Sequence, residues 1–306
     1  MAPADVRVSV IIATWNAARV LGACLDSVLL QEVVGGYEVI VVDNASTDDT
    51  AEVLRGYEGR VRVITNDHNA AYAGANNLAA REARGEVLFF LNSDTELQTP
   101  GVLEQLARAA TSDGVGLVGP RLLNPDGTLQ PSCAAYPTVL RTVLVGVGLH
   151  RLLPDRLRAR VAPYFWSHSE PRDTDWLMGA ALAVRADVFR KLGGFWPTLY
   201  LEETDLAYRA RQRGLRVRFD STPRVMHIGA HSLSQRFTDA ERAQRSATAE
   251  LAFLDAHYGR VRRAAIRAAA LLTYGSRALA HALAGRRARA RVYFAMTSVY
   301  AKPPRQ

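Results

Sequence analysis

Cysteine is scarce in this chain: there are two in 306 residues, Cys24 and Cys133. Two thiols so far apart build neither a metal cluster nor a disulfide framework, and they fit a reducing cytoplasm. Lysine is rare too, at two of 38 basic residues, and no Gly-Lys pair occurs. The Gly-Lys-Ser/Thr phosphate loop is therefore excluded. No run reaches ~18 uninterrupted apolar residues, so no segment reads as a transmembrane helix. The first residues have no basic region followed by an apolar stretch, and no signal peptide is expected. Acidic residues are absent from 256–306, which hold 11 Arg or Lys, whereas the first 255 residues carry 27 basic and 30 acidic residues. The net charge of +8 thus belongs to the C-terminal tail. Such asymmetry suits an anionic partner, either lipid headgroups or nucleic acid.

What remains is an ordinary globular composition, 48% apolar and 22% charged, organised as alternating strand-like and helix-like segments. Val6–Ala13, Tyr37–Asp43, Val61–Thr65, Val87–Asn92 and Val115–Val118 are short apolar runs of the kind buried on both faces of a parallel sheet. Amphipathic segments such as 18–30 and 73–84 separate them. The expected fold is therefore α/β, a Rossmann-like, mostly parallel sheet with helices on both faces. From about 131 to 175 the pattern is irregular and contains five prolines, which reads as a variable insertion or lid. Beyond Asp239 the chain reads as a helical extension, with 262–284 and 286–301 forming two helices broken at Gly285. In the second, Val292, Met296 and Val299 recur at i, i+4 and i+7.

Ligands of open α/β sheets bind at the carboxyl ends of the strands. Polar residues gather there: Thr14-Trp15-Asn16, Asp43-Asn44-Ala45-Ser46, Asn66 to Asn69, and Asn92-Ser93-Asp94. Each alone is explained as turn or cap chemistry; four at one edge point to a ligand crevice. Gly114-x-Gly116-x-x-Gly119 has the spacing of a dinucleotide fingerprint, but it encloses a strand and is followed by Pro120 instead of a helix, so it is coincidental. Asp94, at a buried strand end, is the kind of carboxylate that holds a hard divalent cation.

Thr14-x-Asn16, Val41-Val42-Asp43-Asn44-Ala45-Ser46-x-Asp48 and Leu91-Asn92-Ser93-Asp94-Thr95, followed by Met178-Gly179-Ala180-Ala181, Gly193-Gly194-Phe195, Glu202-Glu203-x-Asp205-Leu206-x-x-Arg209 and His227-x-x-x-x-Ser232, stand in the order of a known family. Over residues 6–235 the sequence resembles the inverting family 2 glycosyltransferases of GT-A fold, leaning toward their rhamnosyltransferase-like branch. The resemblance implies a nucleotide-sugar-binding half at 1–120, an acceptor-binding half at 121–235 with the insertion 131–175, and a basic helical extension at 236–306. It implies that Asp43 reads the pyrimidine edge, with Thr14 and Asn16 around base and ribose. Asn69, Asn77, Asn92 and Ser93 fall on the donor side. Asp94 and His227 match the metal positions for Mg²⁺ or Mn²⁺, and Glu203 matches the general base, preferred over Glu202. Trp176, Gly179, Glu202 and Asp205 fall on the acceptor side, although Asp205 could equally serve as an i,i+4 partner of Arg209.

Three departures stand out: Asn92 stands where a first Asp of the metal motif is common, Ala71 replaces a glycine usual in the donor-site segment, and Glu203 replaces the commoner Asp. The implied donor is a UDP- or dTDP-sugar, with dTDP-rhamnose among the candidates. The implied acceptor is a saccharide or lipid-linked saccharide used in cell-surface polysaccharide synthesis. The basic tail suggests peripheral contact with an anionic membrane, on the inner face of the plasma membrane. The rival readings are another Rossmann-like enzyme and a nucleic-acid-binding protein using the arginines; no recognised motif supports the second.

Overall fold

The computed structural model describes residues 6–196, 201–229 and 238–302. His231 and Ser232 of the closing motif, and the boundary at 235/236, lie outside the described residues. The strands are β1 Val8–Thr14, β2 Tyr37–Asp43, β3 Arg62–Thr65, β4 Val87–Asn92, β5 Thr95–Leu97, β6 Val115–Leu123, β7 Leu129–Gln130, β8 Cys133–Ala134, β9 Arg172–Thr174, β10 Trp176–Leu177, β11 Ala181–Arg185 and β12 Arg216–His227. The helices are α1 Ala18–Leu29, α2 Thr50–Arg55, α3 Ala71–Glu82, α4 Val102–Ala110, α5 Val139–Gly146, α6 Asp155–Val161, α7 Ala186–Leu192, α8 Glu202–Gln212, α9 Asp239–His257, α10 Arg260–Leu283 and α11 Arg287–Ala301.

The chain divides into two compact units. The first, Met1–Ala134 with Ser167–Pro197 and Glu202–Ser232, holds the main sheet in the order β3-β2-β1-β4-β11-β6-β12-β5. The expected parallel pairing holds for β3, β2, β1 and β4. Beyond β4 the sheet is mixed, because β11 inserts antiparallel between β4 and β6. Its partners are as apolar as parallel ones, so composition alone does not reveal the reversed direction. Val10, Ile12, Val41, Phe89 and Leu91 are essentially solvent-free and pack with Leu21, Leu25 and Val28 of α1. The glycine triplet around 114–119 lies within and beside β6, where a Cβ on Gly116 would stand 3.0 Å from Leu215 Cβ. Close packing accounts for Gly116 and Gly119, and a left-handed turn at φ 69° for Gly114.

The second unit, Ala135–Trp166 with Thr198–Leu201 and Leu233–Gln306, is helical in its described parts. Two of the five prolines in the supposedly irregular segment sit at helix starts: Pro154 precedes α6 and Pro163 opens a short 3₁₀ turn. Two short helices are therefore compatible with them. α9 begins with a reciprocal cap between Thr238 and Glu241. Gly285, at φ 68°, ends the run from α10 before α11 begins. Ala247, Ala270, Val299 and Tyr300 form the small core of α9, α10 and α11. Of the α11 residues that recur at i, i+4 and i+7, Val299 is buried, and Val292 and Met296 are half-buried.

Candidate active site

Parallel register builds the site. Thr14 stands opposite Asp43, Asp43 opposite Thr65, and Ala13 opposite Asn92. The polar residues after four apolar runs therefore share one carboxyl edge. Two loops at this edge interlock. Asn16, at φ 49°, accepts the Thr47 N–H on Oδ1 (2.8 Å) and donates its own N–H to Ser46 Oγ (3.0 Å). Asp43 is 5% exposed and accepts the Ser46 N–H on Oδ1 at 3.1 Å. Thr14 Oγ1 is buried and has no hydrogen-bond partner among the described residues.

Asn44 joins the next loop: its Oδ1 accepts from Asn66 Nδ2 (2.7 Å), and its Nδ2 donates to the Ala71 carbonyl (3.3 Å). Exposed Asn69 accepts the Ala71 N–H at 2.9 Å. Ala71 has φ 55°, the left-handed region where a Cβ is unfavourable. That conformation gives a physical reason for the family's glycine. Asn77 is not at the strand-end crevice by its contacts. Its amide donates to the Phe195 carbonyl (2.8 Å) and accepts the Phe195 N–H (2.9 Å), so it pins the turn at Gly193-Gly194.

At the end of β4 the chain turns through Ser93 and Asp94 into β5, which pairs Thr95 with His227. The Asp94 carbonyl accepts the Ile228 N–H at 3.0 Å, which holds the two segments together. Asp94 Oδ1 then lies 3.3 Å from His227 Nε2, with both side chains almost buried. Gln130, which the sequence did not single out, decides the imidazole's tautomer. Gln130 Nε2 donates to the His227 carbonyl (3.1 Å) and to Asn124 Oδ1 (3.0 Å). A backbone carbonyl only accepts, so the amide's orientation is fixed. Its Oε1 must receive the Nδ1–H of His227, at 2.7 Å.

In the neutral ring Nε2 then carries a lone pair facing a carboxylate. Two acceptors at that distance fit neighbouring ligands of one divalent cation, which stand about 3 Å apart when bonds are about 2.1 Å long. Among the described residues no group of three His, Cys, Asp or Glu could hold an ion. A cation here would therefore need oxygens from its substrate, the usual arrangement for Mg²⁺ beside a diphosphate. Asn92 flanks the pair, with Nδ2 3.3 Å from His227 Nε2.

The acceptor-side residues approach this edge through one short segment. Asn92 donates its backbone N–H to the Ala180 carbonyl (2.9 Å). The preceding Gly179 lies against Glu203, where a Cβ would stand 3.4 Å from the carboxyl carbon. Tyr72 donates to the Gly179 carbonyl at 3.0 Å. Burial pushes the Glu203 carboxyl up to about 7, although the N–H groups of Glu203 and Gly179 favour its charged form. Burial, then the charges of Glu203 and Glu202, hold the Tyr72 phenol well above its usual range. Glu202 is 4% exposed. Asp205 pairs with Arg209 Nε at 2.7 Å, and Arg209 donates to the Gly194 carbonyl at 2.7 Å and to that of Leu192. Asp205 thus braces the glycine turn, as its i,i+4 spacing allowed. Trp176 is half-buried in β10, paired with Ala134.

Residues 9–131 match the family described as Glycosyl transferase family 2. An O-antigen biosynthesis protein of Myxococcus xanthus is 32% identical over 240 residues, 76% of this chain and 18% of that protein. An N-acetylglucosaminyl-diphospho-decaprenol L-rhamnosyltransferase of Mycobacterium tuberculosis is 28% identical over 212 residues, 63% of this chain and 67% of that protein. The chain spans about a quarter or less of its longer curated relatives, 26% and 18% of two of them. Its fold matches that of a mannosyltransferase of Pyrobaculum calidifontis solved with GDP-Man and Mn²⁺, with a TM-score of 0.58, 20% identity, and coverage of 98% of this chain and 87% of that one. The fold is thus GT-A, with a helical extension.

Proposed function

We propose that this protein, whose residues 9–131 match the family described as Glycosyl transferase family 2, transfers a sugar from a nucleotide-diphosphate donor to an acceptor hydroxyl with inversion at the anomeric carbon. The observation that carries this reading is the Gly179-Ala180 segment. It touches Asn92, beside the Asp94–His227 pair, on one side and Glu203 on the other. A group suited to a diphosphate and a group suited to a proton are joined by two adjacent residues.

Thr14, Asn16 and Asp43 receive the nucleoside, and the orphaned Thr14 hydroxyl supports a ligand there. Asn69 shapes the donor loop, while Asn92 and Ser93 line the diphosphate side. Asp94 and His227 would hold Mg²⁺ or Mn²⁺, which when bound supplies charge neutralisation for the leaving diphosphate. Glu203 takes the proton from the acceptor hydroxyl as that oxygen attacks the face opposite the leaving group. A carboxyl titrating near 7 is well matched to this task at neutral pH. No enzyme-bound glycosyl intermediate is needed. Gly179 leaves room for the Glu203 carboxylate, and Trp176 and Glu202 flank the acceptor side. Residues 1–120 form the donor half and 121–235 the acceptor half in this scheme.

UDP and dTDP are the nucleotides we favour. The rhamnosyltransferase among the relatives, with the Glu-Glu-x-Asp motif, makes dTDP-rhamnose the first sugar donor to try. The acceptor is a saccharide, free or lipid-linked, and the basic extension supports peripheral contact with an anionic membrane. The test is a panel of nucleotide sugars, with Mn²⁺ and with excess chelator, scored for nucleotide diphosphate release and for the anomeric configuration of the product. Release from no donor in the panel, or retention of configuration, overturns the reading.

A further inference from the structure

α10 buries one face and displays another. Ile266, Ala270 and Thr273 are buried within their unit. On the opposite side Val261, Ala265, Ala268, Leu272, Ser276, Leu279 and Leu283 are all exposed. At 100° per residue these seven fall within a stripe about 80° wide, and the 22 steps from first to last extend roughly 33 Å. The four large members are 85%, 76%, 57% and 80% exposed, respectively for Val261, Leu272, Leu279 and Leu283. No charge interrupts the stripe. The arginines in mid-helix are engaged elsewhere: Arg267 donates to the Tyr300 carbonyl at 2.9 Å, and Arg277 stacks over the Tyr293 ring. Exposed Arg260 stands at the start of α10, and exposed Arg286, Arg287, Arg289 and Arg291 follow its end.

We propose that the Val261–Leu283 face of α10 is a membrane-surface contact that lies along an anionic bilayer, with its aliphatic stripe in the headgroup boundary and its terminal arginines on lipid phosphates. The proposal deepens the reading above, on which its use to a lipid-linked acceptor rests. The length and the sign of the charge both select this occupant. A helix lying in the interface needs a continuous apolar face flanked by cationic side chains. It does not need to span, and no described helix is long and apolar enough to cross a membrane. The unit containing α10 carries 19 basic and 5 acidic residues. Two copies meeting through this face would therefore repel, whereas anionic lipid attracts it. A single-stranded nucleic acid would call for aromatic platforms, and the stripe has none.

The test uses the full chain with phosphatidylglycerol-containing vesicles and with pure phosphatidylcholine vesicles, read by flotation. The wild type should bind the anionic vesicles and release in high salt. The triple variant Leu272→Gln, Leu279→Gln, Leu283→Gln should lose binding by about tenfold or more, with unchanged circular dichroism. A second variant, Ser276→Leu, fills the one polar position of the stripe and should strengthen binding several-fold, so the result does not depend on a loss alone. Equal binding by all three proteins overturns the proposal. So does a wild type that ignores vesicles but forms a dimer that the triple variant breaks. Donor hydrolysis in solution should be the same in all three. A chain that binds vesicles through this face but hydrolyses no nucleotide sugar would sink the functional reading and leave the membrane face standing.

Discussion

The two units of this chain differ in almost every surface property. The unit with the main sheet carries 19 basic and 25 acidic residues; the helical unit carries 19 basic and 5 acidic. Of the large hydrophobic side chains exposed among the described residues, those at Val139, Leu140, Val143, Val147, Leu149, Leu152, Leu157, Tyr164, Phe165, Val261, Leu272, Leu279, Leu283 and Phe294 all belong to the helical unit. The sheet unit exposes five such side chains, Leu30, Val34, Val63, Trp196 and Ile228, against fourteen in the helical unit, and it sets acids at its strand ends. The helical unit leaves apolar surface open and surrounds it with arginine. A chemistry that must exclude water favours the first arrangement, and adhesion to a soft anionic surface favours the second. Substitutions in one unit should therefore leave the other's assay unmoved.

The sharpest way to break that separation is at the base. Glu203→Gln keeps the size and removes the proton acceptor, so turnover should fall by ~10²–10⁴ with vesicle binding unchanged. The sign of its stability effect is distinctive. Burial raises the folded-state value from 4.5 to about 7. The wild type is therefore favoured while Glu203 is protonated, below its unfolded value, and loses that advantage as the pH rises through 7. At pH 8 the variant should be the more stable protein, by roughly 1 kcal/mol or 2–4 °C in Tm. An inactive and less stable variant would mean that Glu203 is structural.

A smaller effect is expected at Gln130. Gln130→Leu keeps the bulk but leaves His227 Nδ1 and the His227 carbonyl without their partner. Calorimetric titration of Mn²⁺ in the presence of UDP should give an affinity 10–100-fold weaker, as is usual when the group orienting a ligating histidine is lost. An unchanged affinity would remove Gln130 from the site. Smaller again is the pH dependence: below about 7 the turnover of the wild type should fall tenfold per pH unit as Glu203 takes up its proton, while vesicle binding stays level across that range. A flat profile from pH 5 to 8 contradicts the assignment. The least effect belongs to Ala71→Gly, which relieves a Cβ at φ 55°. Relief of about 1–2 kcal/mol, partly offset by glycine's entropy, should stabilise the sheet unit by about 0.5–1 kcal/mol in denaturant titrations.

Much of this was legible in one dimension. The strands of the donor half are short, apolar and bounded by polar turn residues, and a parallel register follows from that pattern, so Thr14, Asp43 and Asn92 could be set at one edge before any coordinates. Asp205 with Arg209 was legible as a spacing. Gln130 was not: it is far in sequence from His227, and one glutamine in a turn-rich segment looks like any other. Tyr72 was equally silent, since its contact with Gly179 joins α3 to a loop 107 residues away. The direction of β11 was also hidden, because burial on both faces makes antiparallel and parallel strands alike in composition.

By itself, then, the sequence determined the alternation of strands and helices, the carboxyl edge, the family motifs and the location of the charge. These depend on local periodicity and on residues adjacent in the chain. Tertiary structure alone decided which ring nitrogen of His227 is left to face Asp94, how far burial raises Glu203, and which face of the basic helices stays open. The outward stripe lies on α10, while Val299 and Tyr300 of α11 are taken into the core with Ala247 and Ala270. A helix carrying small and apolar residues on two faces can bury either one. The choice rests on what packs against it, and no local pattern encodes that.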